Sequence, residues 1–203
     1  GAEVFSERVR REIFHQKIGA RRWLEIHEIA HAMGIPSNAT LLYGHIETRA
    51  ERVQHLILLR ELEDKAPGFF AFIPLAFQPG VTGLVRRQAS AIEDLKTIAI
   101  SRLVLDNIPH VKSYWIMLGQ DTAAAAINFG ASDLDGTIGQ EKIAHAALAR
   151  SPVGMAEEGM VHLIHEAGKR PVQRDALYRV VREYARDGEP VAAASAVAAT
   201  AVR

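Results

Sequence analysis

Apolar positions along the chain follow two alternating rhythms. Over residues 21–33, Trp23, Ile26, Ala30 and Met33 recur at helical spacing, and Gly34 follows as a C-terminal stop. Residues 38–43 then form a short β-like run ended by Gly44. Thr48 with Glu51 three positions later reads as a capping box. It opens a helix through Val53, Leu56, Ile57 and Leu59 that stops before Pro67-Gly68. The unbroken apolar stretch 69–77 predicts a strand buried on both faces of a parallel sheet. After a loop with Pro79, Gly80 and Gly83, residues 91–105 repeat the helical rhythm up to Asn107-Ile108-Pro109. Residues 111–118 read as a second buried strand, 121–129 as a helix, and 131–138 as a short strand carrying Asp133, Asp135 and Gly136. Three further helices fit 140–149, 155–167 and 174–185.

Strands separated by single helices imply right-handed βα units on a parallel sheet. Four strands follow from Asn38, and Glu3 stands at the end of a fifth. A closed eight-stranded barrel takes ~250 residues, and the chain has 203. The expected fold class is therefore α/β: a partial (β/α) TIM-type barrel, the C-terminal half with about four to five parallel strands, plus C-terminal helices. The expected division is a half-barrel over 1–150, a helical extension over 151–187, and a disordered Ala-rich tail over 188–203.

Charge narrows the list of partners. Lys and Arg total 24, and so do Asp and Glu, so no net field draws the chain to nucleic acid or an anionic membrane. No apolar run approaches the ~18–20 residues of a membrane span, and the first residues do not read as a signal peptide. A cytoplasmic protein acting on a small-molecule substrate is expected. A half-barrel exposes two sheet edges, so self-association through them is expected as well. Cysteine is absent, which excludes disulfides, thiolate zinc sites and any cluster held by this chain's own thiolates.

His27-Glu28-Ile29-Ala30-His31 matches HExxH, which on a helix sets two imidazoles on one face to share zinc while the Glu activates water. The alternative is a boundary pair on an amphipathic helix in a chain with nine histidines. In a β/α barrel that helix lies outside, away from the face where active sites form. Neither GxGxxG nor GxxxxGK[ST] occurs. Barrel chemistry gathers where strands end, which selects Glu3, then Tyr43-Gly44-His45-Ile46-Glu47, then Ala76-Phe77-Gln78-Pro79, Trp115 to Gln120 and Asp133 to Thr137. Each also has a structural reading: Glu47 as a first-turn acid, Asp133 and Asp135 as turn residues, Trp115 as packing, His45 as a loop side chain.

Taken together, SNATLLYGHIETRAERVQHLILLRELEDKAPGFFAFIPLAFQP, DLKTIAISRLVLDNIPHVKSYWIMLG, NFGASDLDGTIGQEKIAHAA and IHEAGKRPVQRDALY resemble the aminofutalosine synthases, radical S-adenosylmethionine (SAM) barrel enzymes of menaquinone biosynthesis. The resemblance runs from Gly1 to about Arg186. Dehypoxanthine futalosine cyclases and deazaflavin synthases are the neighbouring families. The resemblance implies a 4Fe-4S cluster on a CxxxCxxC loop, whose ligands this chain does not contain, and SAM as the source of an adenosyl group added to 3-[(1-carboxyvinyl)oxy]benzoate, giving 6-amino-6-deoxyfutalosine. It implies SAM contacts at Glu3, at Asn38, Thr40, Leu42, Gly44 and Glu47, and at Ile73, Pro74 and Leu75. The first Gly and the Ile of the family's GxIxGxxE pattern are Thr40 and Leu42 here. Tyr43, His45, Phe77, Trp115, Asp133 and Asp135 would line the mouth on the substrate side, and no residue is assigned to a metal. The chain alone is expected neither to hold the cluster nor to cleave SAM. The zinc peptidase and a non-catalytic barrel module stay open as the other classes.

Overall fold

The computed structural model describes residues 1–80, 82–137, 152, 154–185 and the backbone of 190–191. Its centre is a three-stranded parallel sheet in the order β1–β2–β3: β1 Ser37–Tyr43, β2 Phe69–Ala76 and β3 His110–Val111. Helices α1 (Glu7–Ile13) and α2 (Ala20–Ala32) precede β1, α3 (Arg49–Lys65) links β1 to β2, and α4 (Ala91–Val104) links β2 to β3. The chain is thus mixed α/β, with single helices joining parallel strands as the alternating pattern predicts.

The sheet has a further position on each side. Leu42 N–H donates to Glu3 O at 2.9 Å on the free edge of β1. Beyond β3, Lys112 and Asp133 form an isolated parallel bridge, with Ser113 N–H on Asp133 O at 2.7 Å. The expected strand at 131–138 is reduced to this bridge.

The capping box forms as read: Thr48 Oγ1 accepts from Glu51 N–H at 3.2 Å, and the Glu51 carboxylate takes Thr48 N–H at 2.7 Å. Ser90 caps α4 by accepting from Glu93 N–H at 3.3 Å. Ala39, Leu41 and Tyr43 on β1, with Phe72 and Ala76 on β2, enter the layer beneath the helices, where Leu56, Leu59 and Ile98 complete the core. Asn38, Thr40 and Leu42 pair with Ala71, Ile73 and Leu75 on the opposite, inner face.

Pro74 lies in the central strand, where a missing N–H ordinarily costs a ladder bond. Phe72 O accepts from Lys112 N–H, so residues of the same parity, Pro74 and Ala76, turn their backbone groups toward β3. That strand has already ended at Val111, so the ring breaks nothing. Ala76 O is taken instead by Gln78 Nε2 at 3.1 Å, which also donates to Met117 O at 3.1 Å.

The second half of the chain departs from the sequence reading at two further places. Residues 111–118 are not one strand: after Val111 the backbone turns into helix α5 (Trp115–Leu118). An apolar run of this length does not distinguish strand from buried helix. Helix α6 (Gln120–Ala126) closes with a 3-10 turn over Ile127–Phe129, and α7 is Glu157–Glu166. The helix expected over 174–185 is a β-hairpin instead: β4 (Val172–Arg174) pairs antiparallel with β5 (Val180–Tyr184), and Pro190–Val191 adds β6. The β-branched Val172, Val180 and Val181 favour strands. Asp175 organises the turn between them by accepting from Leu177 N–H at 2.9 Å and Arg179 N–H at 3.0 Å. The helix expected at 140–149 and the tail beyond Val191 lie outside the described residues. No helix among the described residues is long and apolar enough to cross a membrane.

Candidate functional site

Where β1 ends, the chain turns through Gly44, whose φ of 88° is a left-handed conformation that a side chain would strain. Glu47 fixes this turn. Its carboxylate accepts from Gly44 N–H at 2.6 Å, His45 N–H at 2.9 Å and Arg52 Nε at 2.6 Å, with its side chain wholly buried. Burial alone would raise its pKa, but the His45 ring, whose Nδ1 lies 3.0 Å from Oε2, the Gly44 N–H and Arg52 outweigh burial and hold it at about 2. Arg52 reaches on to Glu93 at 2.7 Å and lies 5.2 Å over the Tyr43 ring, fastening the turn to α4.

His45 is also enclosed. Its Nε2 lies 3.0 Å from Leu42 O, its Nδ1 lies 2.8 Å from Ile46 N and 3.0 Å from Glu47 Oε2, and its ring meets Phe14 and Phe77 edge-on at 5.7 and 5.8 Å. It shapes the turn rather than projecting from the mouth. Glu3, with φ of 52°, accepts from Lys17 Nζ at 2.6 Å. Burial opposes ionisation there, but Lys17 prevails and the carboxyl stays below its ordinary pKa.

The cofactor-side residues inferred by resemblance divide by strand parity. Asn38, Thr40, Leu42, Ile73 and Leu75 share the inner face, while Pro74 is buried on the helix side. Tyr43 is likewise displaced from the expected mouth: it is fully buried under the helices and donates its hydroxyl to Asp94 at 2.6 Å. Burial and the neighbouring Asp94 raise the phenol pKa well above its usual value, and burial raises that of Asp94. Trp115 is fully buried, its Nε1 donating to Gly136 O at 3.1 Å. Phe77 remains half-buried beside the turn.

Asp133 and Asp135 come together as expected, but each is paired with a cation. Asp133 accepts from Arg174 Nη2 at 2.7 Å and from Asp135 N–H at 2.6 Å, and Asp135 pairs with Lys112. They line a cavity of about 810 Å³ between the sheet's inner side, α7 and the hairpin, with Asn38, Lys112, Arg174 and Tyr178 also on its wall. The hairpin forms the floor at the N-terminal ends of the strands. Tyr178 stacks on His110 at 4.4 Å and meets Phe70, while Arg174 donates to Ser132 O at 3.0 Å. Burial, then Arg174, depresses the His110 pKa. Tyr178 holds a left-handed φ of 63°, and its buried hydroxyl has no hydrogen-bond partner among the described residues. The sequence reading missed Lys112, Arg174, Tyr178 and Arg52. The β-branched runs flanking Asp175–Tyr178 were the available signal for the first hairpin residues.

The HExxH residues are committed to packing. His31 donates from Nδ1 to Ala66 O at 2.8 Å and accepts the Ser37 hydroxyl at Nε2, also at 2.8 Å. His27 stacks on Trp23 at 3.5 Å, and Glu28 meets Lys65 at 2.7 Å. With both His31 nitrogens occupied and Glu28 ion-paired, the constellation is a sheet-to-helix clamp, and the zinc reading loses its geometry.

The two groups implied by resemblance fit the chain differently. The inner face offers Leu42, Ile73 and Leu75 as apolar contacts beside Thr40 and a rigid glycine turn, a surface whose chemistry suits a nucleoside. A 4Fe-4S cluster needs thiolates, and the chain has none. The cluster does not fit these residues.

Residues 66–187 match the family described as the CofH/MqnC C-terminal region. The chain is 48% identical over 191 residues to an aminodeoxyfutalosine synthase of Thermus thermophilus, covering 92% of this chain and 51% of that protein. It is 42% identical to an aminodeoxyfutalosine synthase of Streptomyces coelicolor (91% and 51% covered) and 40% identical to a cyclic dehypoxanthine futalosine synthase of the same organism (88% and 44% covered). The chain spans about half the length of the curated relatives it matches.

Proposed function

The chain belongs to the CofH/MqnC C-terminal family, and from that premise we propose that it forms the C-terminal half of a radical SAM (β/α) barrel, the nucleoside- and substrate-facing wall of an aminodeoxyfutalosine synthase. The observation that carries this reading is the convergence of Asn38, Thr40, Leu42, Ile73 and Leu75 on one face, next to a turn that Glu47 locks. The greater identity to the two synthases than to the cyclic dehypoxanthine futalosine synthase supports the synthase over its neighbour.

When bound, SAM supplies the adenosyl group that is joined to the alkene of 3-[(1-carboxyvinyl)oxy]benzoate to give 6-amino-6-deoxyfutalosine. The residues of this chain position and enclose. Glu47 and Arg52 hold the Gly44–Ile46 backbone in one conformation, so the nucleoside meets a surface that does not reorganise. Leu42, Ile73 and Leu75 keep water from its apolar edge. The hairpin closes the far end of the cavity through Arg174 and Tyr178, leaving a walled volume for the second substrate above the Lys112–Asp135 and Arg174–Asp133 pairs. No step is assigned to the cluster, whose ligands would come from another segment.

The test is a fusion of this chain behind the first half of the Thermus thermophilus synthase, reconstituted with iron and sulfide and supplied with SAM and 3-[(1-carboxyvinyl)oxy]benzoate. Mass spectrometry should detect 6-amino-6-deoxyfutalosine, and Leu42→Asp should abolish it. A fusion that loads its cluster and cleaves SAM yet makes no such product would sink the assignment.

A further inference from the structure

Among the described residues Arg10 is the one arginine or lysine that is buried, with 6% of its surface exposed. Taking a guanidinium out of water is costly unless its donors are satisfied. Here they go to backbone carbonyls rather than to a carboxylate. Nη1 donates to Ala2 O at 2.7 Å and to Val4 O at 3.1 Å, and Nη2 donates to Ile18 O. Helix α1 carries Arg10 in its last turn and is itself pinned to α3. Ser6 Oγ donates to Glu51 at 2.5 Å, and Arg8 Nη2 donates to Glu51 at 2.7 Å and to Ile46 O at 2.9 Å. The guanidinium fork therefore acts from a fixed base.

The three carbonyls belong to two segments with one purpose. Ala2 and Val4 flank Glu3, and Ile18 follows Lys17, so one side chain holds both segments whose charges meet at 2.6 Å. Glu3 needs such a hold. Its φ of 52° is left-handed, a conformation that a residue with a side chain keeps only where its surroundings fix it. Leu42 N–H on Glu3 O fixes this backbone from the strand, and Arg10 fixes it from the helix. A Cβ at Gly1 would fall 3.0 Å from Thr40 Oγ1 and 3.4 Å from Glu3 Oε1, which sets the carboxylate beside the inner-face Thr40 hydroxyl. Lys17 has 44% of its side chain exposed, and a partner so open to water does not by itself restrain a carboxylate.

We propose that Arg10 is a positioning residue for Glu3: by gripping Ala2, Val4 and Ile18 it presents the Glu3 carboxylate, steadied by Lys17, to the cation SAM. The assignment rests on the reading of Glu3 as a SAM contact. Arg10 acts through Glu3 and not on the substrate. It removes in advance the conformational freedom that Glu3 would otherwise lose on binding. The fork matters more than the charge, because an ammonium is a point donor and does not hold two segments in fixed directions at once.

The test compares Arg10→Met and Arg10→Lys with Glu3→Gln as the reference. Val9→Ala, at a fully buried position of the same helix, controls for a general loss of stability. In the chain alone, trace acetylation of Lys17 is followed by mass spectrometry against the exposed Lys96 as internal standard. Both Arg10 variants should raise the Lys17 rate about threefold or more, to the value in Glu3→Gln, while Val9→Ala leaves it unchanged. An unchanged rate in the Arg10 variants, or an equal rise in Val9→Ala, would overturn the proposal. In the fusion with the first half of the Thermus thermophilus relative, equilibrium dialysis should show SAM binding weakened about tenfold or more by Arg10→Met and by Glu3→Gln, but not by Val9→Ala. Undiminished binding in Arg10→Met would also overturn it. Should Arg10→Met fail to fold, Arg10→Lys decides, and parent-like rates and binding there count against the fork. Product formation by the unmodified fusion is scored separately: weakened SAM binding without product in the parent would retain Arg10 and remove the synthase reading, and a parent that binds no SAM would overturn both.

Discussion

Replacing Glu47 with Gln preserves its size while deleting the charge that holds the turn at the end of β1. A carboxyl whose pKa falls from 4.5 to about 2 on folding stabilises the folded state by about 3 kcal/mol at neutral pH. Its side chain is wholly buried, so solvent screening does not discount that figure. The sign follows from the depressed pKa: the contribution is complete above pH 4.5 and disappears as the pH falls through 2. Glu47→Gln should therefore lose about 3 kcal/mol at pH 7, because the amide N–H faces donors where the second carboxylate oxygen had accepted. With a urea slope of ~2 kcal/mol/M, the denaturation midpoint should fall by roughly 1.5 M. The gap between variant and parent should narrow to roughly half by pH 3. Urea titrations followed by circular dichroism at pH 7, 5, 4 and 3 measure both quantities. A loss under ~0.5 kcal/mol at pH 7, or a gap as large at pH 3 as at pH 7, would refute the account of the turn.

Three other outcomes follow from the same structure. His55 is fully buried against Phe5, donates to Thr40 O and leaves Nδ1 unpartnered among the described residues, with burial lowering its pKa to about 3. Stability should fall as the pH drops below ~6.5, and His55→Leu should flatten the fall by about 2–3 kcal/mol between pH 6.5 and 4.5, read from melts across that range; an unchanged slope counts against it. A Cβ at Gly68 would lie 2.3 Å from the His31 ring, which Ala66 and Ser37 hold in place, so Gly68→Ala should cost about 1–3 kcal/mol in a thermal melt. Arg174→Met should raise amide hydrogen exchange across Val172–Tyr184 at least tenfold while leaving β1 and β2 protected, and uniform protection would show that the ion pair does not hold the floor.

How much the sequence disclosed depended on whether the signal was local. The capping box at Thr48 and Glu51, the β2 run and the α4 rhythm are written within single elements, and each forms where it was read. The run ending at Leu118 carried no such information, since buried strands and buried helices are equally apolar. At 174–185 the helical reading overlooked the valines and the turn-forming Asp175. Tyr43 is instructive because the error was avoidable: strand alternation from Ala39 and Leu41 already assigns it to the helix side, whereas proximity to a strand's end suggested the mouth. The ion pairs of Asp133 and Asp135 were beyond reach, because Arg174 meets Asp133 across 41 positions and Lys112 meets Asp135 across 23, only through tertiary folding. HExxH shows the converse, a short pattern with chemical meaning whose residues serve as a clamp.

Pro74 has an evolutionary consequence through Gln78. Backbone ladders are indifferent to sequence, so a gap bridged by one could be widened only by rebuilding the strand. Here the split between β2 and α5 is bridged by a side-chain amide, which takes the carbonyls of Ala76 and Met117, the latter also accepting from Gln88 Nε2 at 2.6 Å. The closure of this corner therefore rests on side chains. A lineage could exchange Gln78 for a shorter or longer residue and alter the dimensions of the opening while every strand stayed in register.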